Sequence, residues 1–269
     1  SMNDALRNGL WNCYRENIID GLNSVYSGLS NSHEELDAYF AYLWYHYYKK
    51  PIDSRPNVDT CYKIIRTDFF KYLWNEVYDF IEFHTSEEFR NSHHIIWRQL
   101  QQFEYDCNKI LEREFAGYRF IEHIIVPISN EIEVNEIKDA ISKQSGTFTN
   151  KYKNIQLHLK HAVEKLSDKK SPDYRNSIKE SISAVECVCR EMTGEETLGK
   201  ALKKFEEKGI KFNNQFKQGI EKLYVYTNEK GTGIRHALLD ATDTPTFEEA
   251  KFMLVVCSAF INYIIASNK

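Results

Sequence analysis

The stretch Lys230-Gly231-Thr232-Gly233-Ile234-Arg235-His236 gathers the residue types that phosphate chemistry needs. Glycines at 231 and 233 let backbone amides approach a ligand, and a helix opening just after them would aim its unsatisfied N–H groups at an anion. Arg235 adds a planar, permanently charged donor fork, and His236 is the side chain that exchanges a proton near neutral pH. Together they could cleave RNA without a metal. The histidine would take the 2′-hydroxyl proton or protonate the leaving oxygen, while the arginine steadies charge on the phosphorus oxygens. Neighbours on a helix point about 100° apart, so joint action on one phosphate requires the pair to sit at a helix start or two subunits to contribute. The competing reading is structural: Arg235 pairs with Glu180 or Glu186, and His236 fills a gap between helices.

Other candidates are weaker. Arg175, Lys179, Ile182 and Glu186 follow one another at three- and four-residue steps and could line one cleft, with Asn176 and Glu180 beside them; polar residues off a core stripe are more often solvated. His158 and His161 share a helix face at i, i+3, and His93-His94 are adjacent, but no carboxylate or cysteine stands at ligand spacing, so no metal site is expected. Cys187 and Cys189 lie two apart on an expected helix and point to opposite sides. A glycine-rich P-loop, a Gly-x-Ser-x-Gly elbow, His-Glu-x-x-His and Cys-x-x-Cys are all absent, which removes the common nucleotide-hydrolase, esterase, zinc-protease and zinc-ribbon signatures. No cofactor is expected.

These residues must be held by helices. The chain has 269 residues, 42% of them hydrophobic, with only 5 prolines and 11 glycines, a composition suited to long helices. A formal charge of −4 with mixed signs lacks the basic field of a DNA-binding domain, so no DNA partner is expected. Six cysteines set mostly in apolar patterns, with no signal-like opening, predict reduced thiols and a cytoplasmic protein. Apolar spacing predicts helices over Asn3 to about Tyr26, Glu34 to Tyr48, Thr60 to Phe83 and Ser86 to Ala116, with aromatic stripes that read as core and no chemistry. Residues 118–128 are β-branched and end in proline, a short β excursion. Helices return over Glu131 to Lys143 and Thr147 to Leu166, and Gly146 sets an expected division into 1–146 and 147–269. Ser171 is read as a cap and Pro172 as the first residue of a helix ending at Gly194. Further helices run from Thr197, from about Asn213 to Tyr226, and from a Thr246/Glu249 capping box. The last is apolar nearly all round. Its run Phe252 to Ala266 is shorter than the about twenty residues a membrane span needs, so it reads as a core helix and no membrane partner is expected.

The runs Pro172 to Glu186, Thr197 to Leu202, Gly233-Ile234-Arg235-His236-Ala237-Leu238 and Ala250 to Phe260 resemble the HEPN-type domain of the abortive-infection AbiJ N-terminal domain 4 family, over about residues 150 to 269. Ala5 to Asn12 and Glu114 to Phe120 are similar to the companion region of the same proteins. The resemblance implies an all-α fold with a C-terminal four- or five-helix bundle, a homodimer, and a role in antiphage defence. It also implies either a metal-independent ribonuclease or a non-catalytic module that binds RNA, a nucleotide or a protein. Catalytic members carry an arginine, then four to six residues, then the histidine. Here Gly231 and Lys230 occupy positions five and six before His236, and Arg235 is adjacent. On the resemblance, Arg235 and His236 are the catalytic candidates, and Arg175, Asn176, Glu180, Glu186, Lys230, Gly231 and Gly233 the ligand-binding ones.

Overall fold

The computed structural model describes residues 2–25, 32–92, 97–142, 152–228, 234 and 244–267, and among them the chain is helical but for one short hairpin. Packing divides it into two compact units, Ser1–Pro127 and Ile128–Lys269. The division expected at 146 lies outside the described residues.

In the first unit, Asn3 Oδ1 accepts the Leu6 N–H at 2.7 Å and opens α1 (Asp4–Tyr14), as a capping side chain does. The run continues through a π-helical turn (Arg15–Ile19) into α2 (Asp20–Val25), so the first expected helix contains a π segment. Helix α3 spans Ser32–His46. The single helix expected over Thr60 to Phe83 is two, α4 (Val58–Lys71) and α5 (Trp74–Phe83). The backbone turns extended at Tyr72 and Leu73 (ψ 146° and 164°), and the Glu76 carboxylate accepts the Leu73 N–H at 2.6 Å. No glycine or proline marks that break, so periodicity alone runs through it. Within the Ser86 to Ala116 stretch the described helices are α6 (Glu87–Ser92) and α7 (Trp97–Arg113), and residues 93–96 lie outside the described residues.

The β excursion is an antiparallel hairpin of β1 (Arg119–Ile121) and β2 (Ile124–Val126), with Phe120 opposite Ile125. Its two turn residues, Glu122 and His123, both have positive φ, 47° and 75°, the arrangement whose twist suits a two-residue hairpin. The aromatic stripes do form the core: Tyr14, Tyr39, Phe40, Phe69, Phe80, Phe89 and Phe103 are fully buried, with Trp11 tilted against Phe69 at 5.2 Å between ring centres, within the range that aromatic pairs favour.

The second unit holds α8 (Glu131–Ser142), α9 (Lys153–Ser167), α10 (Tyr174–Thr193), α11 (Leu198–Glu207), α12 (Asn214–Asn228) and α13 (Phe247–Ser267). Helix α10 packs on both α9 and α13, and α8 packs on α13 and α9. The cap of α10 is Asp173 rather than Ser171. Asp173 Oδ1 accepts the Asn176 N–H at 3.0 Å, so the helix starts after Pro172, and the Ser171 N–H donates to Asp168 at 2.9 Å. Gly194 ends α10 at φ 79°, where a Cβ would be strained. Thr246 and Glu249 cap α13 reciprocally at 2.8 and 3.2 Å, the expected capping box.

By length and composition α13 could cross a membrane. Here it buries Ala250, Met253, Leu254, Cys257, Ser258, Phe260, Ile261 and Ile264, although Phe252 and Tyr263 remain exposed, so it is not buried all round.

Candidate functional site

Three contacts fix how α9 and α10 meet. Glu180 accepts from His158 Nδ1 at 2.7 Å, Ser177 Oγ donates to the Ala162 carbonyl at 2.8 Å, and the Asp173 N–H donates to the Lys165 carbonyl at 2.9 Å. As one residue number rises the other falls, which defines an antiparallel pair joined by the short 168–173 link.

At that link a groove of about 1020 Å³ opens. The end of α9 contributes Glu164, Lys165 and Asp168, the start of α10 contributes Ser171 to Arg175, and the start of α13 contributes Thr244 to Phe247. Two helix N-termini thus converge on one space, with Lys165 and Arg175 as its cations. Its carboxylates are partly committed. Asp168 accepts the Ser171 and Lys170 N–H groups, which hold its carboxyl below the usual carboxylate range. Asp173 accepts both the backbone and side-chain N–H groups of Asn176. Tyr174 and Phe247 meet edge to face across the groove at 6.0 Å.

The sequence candidates are not gathered at one point. Arg175 lines the groove, and Asn176 serves the α10 cap. Glu180 faces α9, bonded to His158 and 4.0 Å from His161 Nδ1. Ile182, expected to share a cleft face with Arg175 and Glu186, is buried in the core. Glu186 is half-buried near Cys189, whose thiol is pushed up to about 12 by burial and then by that carboxylate. Cys189 is buried and Cys187 half-buried, as residues two apart on a helix should differ. Lys230, Gly231, Gly233, Arg235, His236, His93 and His94 lie outside the described residues, and Ile234 between them is buried.

Sequence reasoning missed Lys165 and Asp168 as groove walls, and missed the carboxylate that meets the histidine pair. The i, i+3 spacing of His158 and His161 was visible, but Glu180 comes from another helix and only the antiparallel register brings it there. Among the described residues no group of three His, Cys, Asp or Glu is placed to hold a metal ion.

Neither the curated proteins nor the solved structures include one that matches this chain. The model of the family described as AbiJ N-terminal domain 4 matches residues 1–143. That stretch includes Ala5 to Asn12 and Glu114 to Phe120, and ends before the residues 150 to 269 on which the HEPN-type resemblance rests. Since it covers more than half of the 269 residues, the chain belongs to the AbiJ N-terminal domain 4 family and is an abortive-infection defence-related protein.

Proposed function

We propose that the chain is a HEPN-type protein that acts in the cytoplasm on RNA as part of abortive infection, as a metal-independent endoribonuclease working as a homodimer. The observation that carries this reading is the groove of about 1020 Å³ where the starts of α10 and α13 meet Arg175 and Lys165. Its cations and helix termini suit a phosphodiester backbone. In this reading Arg175 and Lys165 hold phosphate. Arg235, with the Gly231 and Gly233 amides and Lys230, steadies charge on the reacting phosphate, and His236 moves the proton.

Incubation of the purified protein with total RNA and tRNA in EDTA, wild type beside Arg235→Ala and His236→Ala, tests it. Cleavage that persists in EDTA and disappears in both variants is expected.

One observation favours a second reading. Arg235 adjoins His236 instead of standing four to six intervening residues before it, and Lys230 offers a point charge without a fork. A non-catalytic module would hold RNA, a nucleotide or a partner's carboxylate in the same groove. RNA that is retained by the protein yet left intact would favour it.

A further inference from the structure

A groove of about 420 Å³ on the first unit is walled by aromatic rings and by the turn that closes α7. Trp74 and Tyr78 come from α5, and Tyr118 comes from the segment just before β1. Their ring centres form a triangle: 5.9 Å from Trp74 to Tyr78, 5.8 Å from Trp74 to Tyr118 and 5.0 Å from Tyr78 to Tyr118. A cation is drawn to a ring face within about 6 Å of its centre, so one cation seated on this triangle is in reach of all three. Among the described residues, Glu114 is the one charged side chain in the lining. Its side chain is 16% exposed, whereas that of its partner Arg113, at 2.8 Å, is 61% exposed and screened by water. Asn3 also reaches the groove, with its Oδ1 engaged by the Leu6 N–H at the start of α1.

The fold gains little from Phe115, the residue at the groove's rim. Its side chain is 95% exposed, and its φ is 52°. The Ala116 N–H donates to the Leu111 carbonyl at 2.8 Å and the Phe115 N–H to the Glu112 carbonyl at 3.0 Å, the paired closure of a helix end whose left-handed position is usually glycine. A phenylalanine there carries backbone strain and buries almost nothing in return. Arg119 Nη1 grips the turn through the Ala116 and Tyr118 carbonyls at 2.8 and 2.7 Å. Strain held at the rim of a groove points to a ligand.

The lining chooses the ligand's chemistry. It holds neither lysine nor arginine, so a phosphate backbone finds no counter-charge. A primary ammonium would bring three N–H donors to walls made of rings and one carboxylate, whereas a fully methylated one has no N–H to satisfy. We infer that this groove binds a methylated ammonium group, as carried by choline or by trimethylated lysine. The group rests on Trp74, Tyr78 and Tyr118, Phe115 covers it, and Glu114 supplies the counter-charge. The site lies within Ser1–Pro127 and is independent of the ribonuclease reading.

Calorimetric titration of the full-length protein compares choline, a peptide bearing trimethylated lysine, the same peptide unmodified, adenosine monophosphate, and the neutral alcohol in which carbon replaces the choline nitrogen. Choline or the trimethylated peptide should bind with a Kd of about 1 mM or below, and the tighter of the two identifies the source. The neutral alcohol and the unmodified peptide should bind about 10-fold more weakly. Trp74→Ala and Glu114→Gln should each weaken binding several-fold. Phe115→Gly separates ligand from fold and decides the matter should Trp74→Ala prove unstable: its urea midpoint should stay or rise while binding weakens several-fold. Unchanged affinity in Phe115→Gly overturns the inference. So does equal binding of choline and the neutral alcohol, which would show only an apolar hollow. Tighter binding of adenosine monophosphate than of either methylated ammonium overturns it in favour of base stacking, and absence of saturable binding by both overturns it outright.

Discussion

The buried polar chain in the first unit has a direction, and mutation should reveal it. His84 Nδ1 lies 2.8 Å from the Phe80 carbonyl, which can only accept, so Nδ1 carries the proton. In the neutral imidazole Nε2 is then an acceptor, and Tyr39 must donate to it at 2.7 Å. Tyr14 in turn donates to the Tyr39 oxygen at 2.8 Å. All three side chains are fully buried. Tyr39→Phe removes a middle member, which takes the donor from His84 and the acceptor from Tyr14. Two buried groups at about 1–3 kcal/mol each give a loss of about 2–6 kcal/mol. Tyr14→Phe removes only the end donor and leaves Tyr39 bonded to His84, so its loss should be about 1 kcal/mol. With a urea dependence of about 1–3 kcal/mol per molar, Tyr39→Phe should move the unfolding midpoint by about 1–2 M and Tyr14→Phe by well under half of that. The assay is clean because Trp11, Trp44, Trp74 and Trp97 all fall within Ser1–Pro127, so tryptophan fluorescence follows this unit alone. Equal losses, or a larger one for Tyr14→Phe, would refute the assigned polarity.

The same unit should weaken in alkali. Burial raises the pKa of Tyr14 and of Tyr39 in the folded chain, so their stabilising effect is complete below the unfolded value of about 10 and is lost as pH rises towards the folded values. Two such groups imply a slope of about 2.7 kcal/mol per pH unit above about pH 10, readable as a falling urea midpoint; a constant midpoint would contradict the burial argument. Gly9 faces Ile110 so closely that a Cβ would sit 2.5 Å from its Cγ2. Gly9→Ala should therefore cost about 1–3 kcal/mol, and Ile110→Ala in the same chain should recover part of it, whereas simple additivity in a double-mutant cycle would show that the contact is not the cause. Among the thiols, burial pushes Cys189 and Cys257 up to about 12, and both are enclosed. Iodoacetamide on the native protein should modify half-buried Cys187 well before either, as peptide mass spectrometry would read; equal rates would speak against a closed α10–α13 core.

Much of the helical layout was legible because apolar residues at steps of three and four mark a buried face wherever the helix is regular. Ile178, Ile182, Val185 and Cys189 trace such a face on α10, and Gly194 marks its end. What periodicity could not show were changes of backbone made without a breaker residue. The turn at Tyr72 and Leu73 is held by Glu76, and the π segment at Arg15–Ile19 keeps the apolar rhythm while shifting its phase. The groove was half legible. Arg175 was visible as a candidate, but Lys165 enters from a helix weighed only for its His158 and His161 face, and the cap is Asp173, whose carboxylate accepts the Asn176 N–H, rather than Ser171. The Glu180–His158 contact needs the antiparallel register of α9 and α10, a tertiary fact that no local spacing contains.

The family match and the packing divide the chain at different places, and the difference has a thermodynamic consequence. The match runs to residue 143 and so includes α8, yet α8 belongs to the second unit. It buries Val134, Ile137, Ala140 and Ile141, Glu133 meets Lys251 at 3.1 Å, and the Asn262 side-chain amide donates to the Glu136 carbonyl at 3.0 Å. Full burial of a Val or Ile side chain is worth about 1.5–3 kcal/mol, so three of them represent about 5–9 kcal/mol, comparable with the whole stability of a domain at about 5–15 kcal/mol. Residues 128–269 alone should therefore melt cooperatively by circular dichroism, and residues 144–269 should not. An unchanged melting temperature on loss of α8 would mean that the helix is only appended to the bundle; loss of the transition would mean that the domain named by sequence ends with a helix that serves as core for the unit after it.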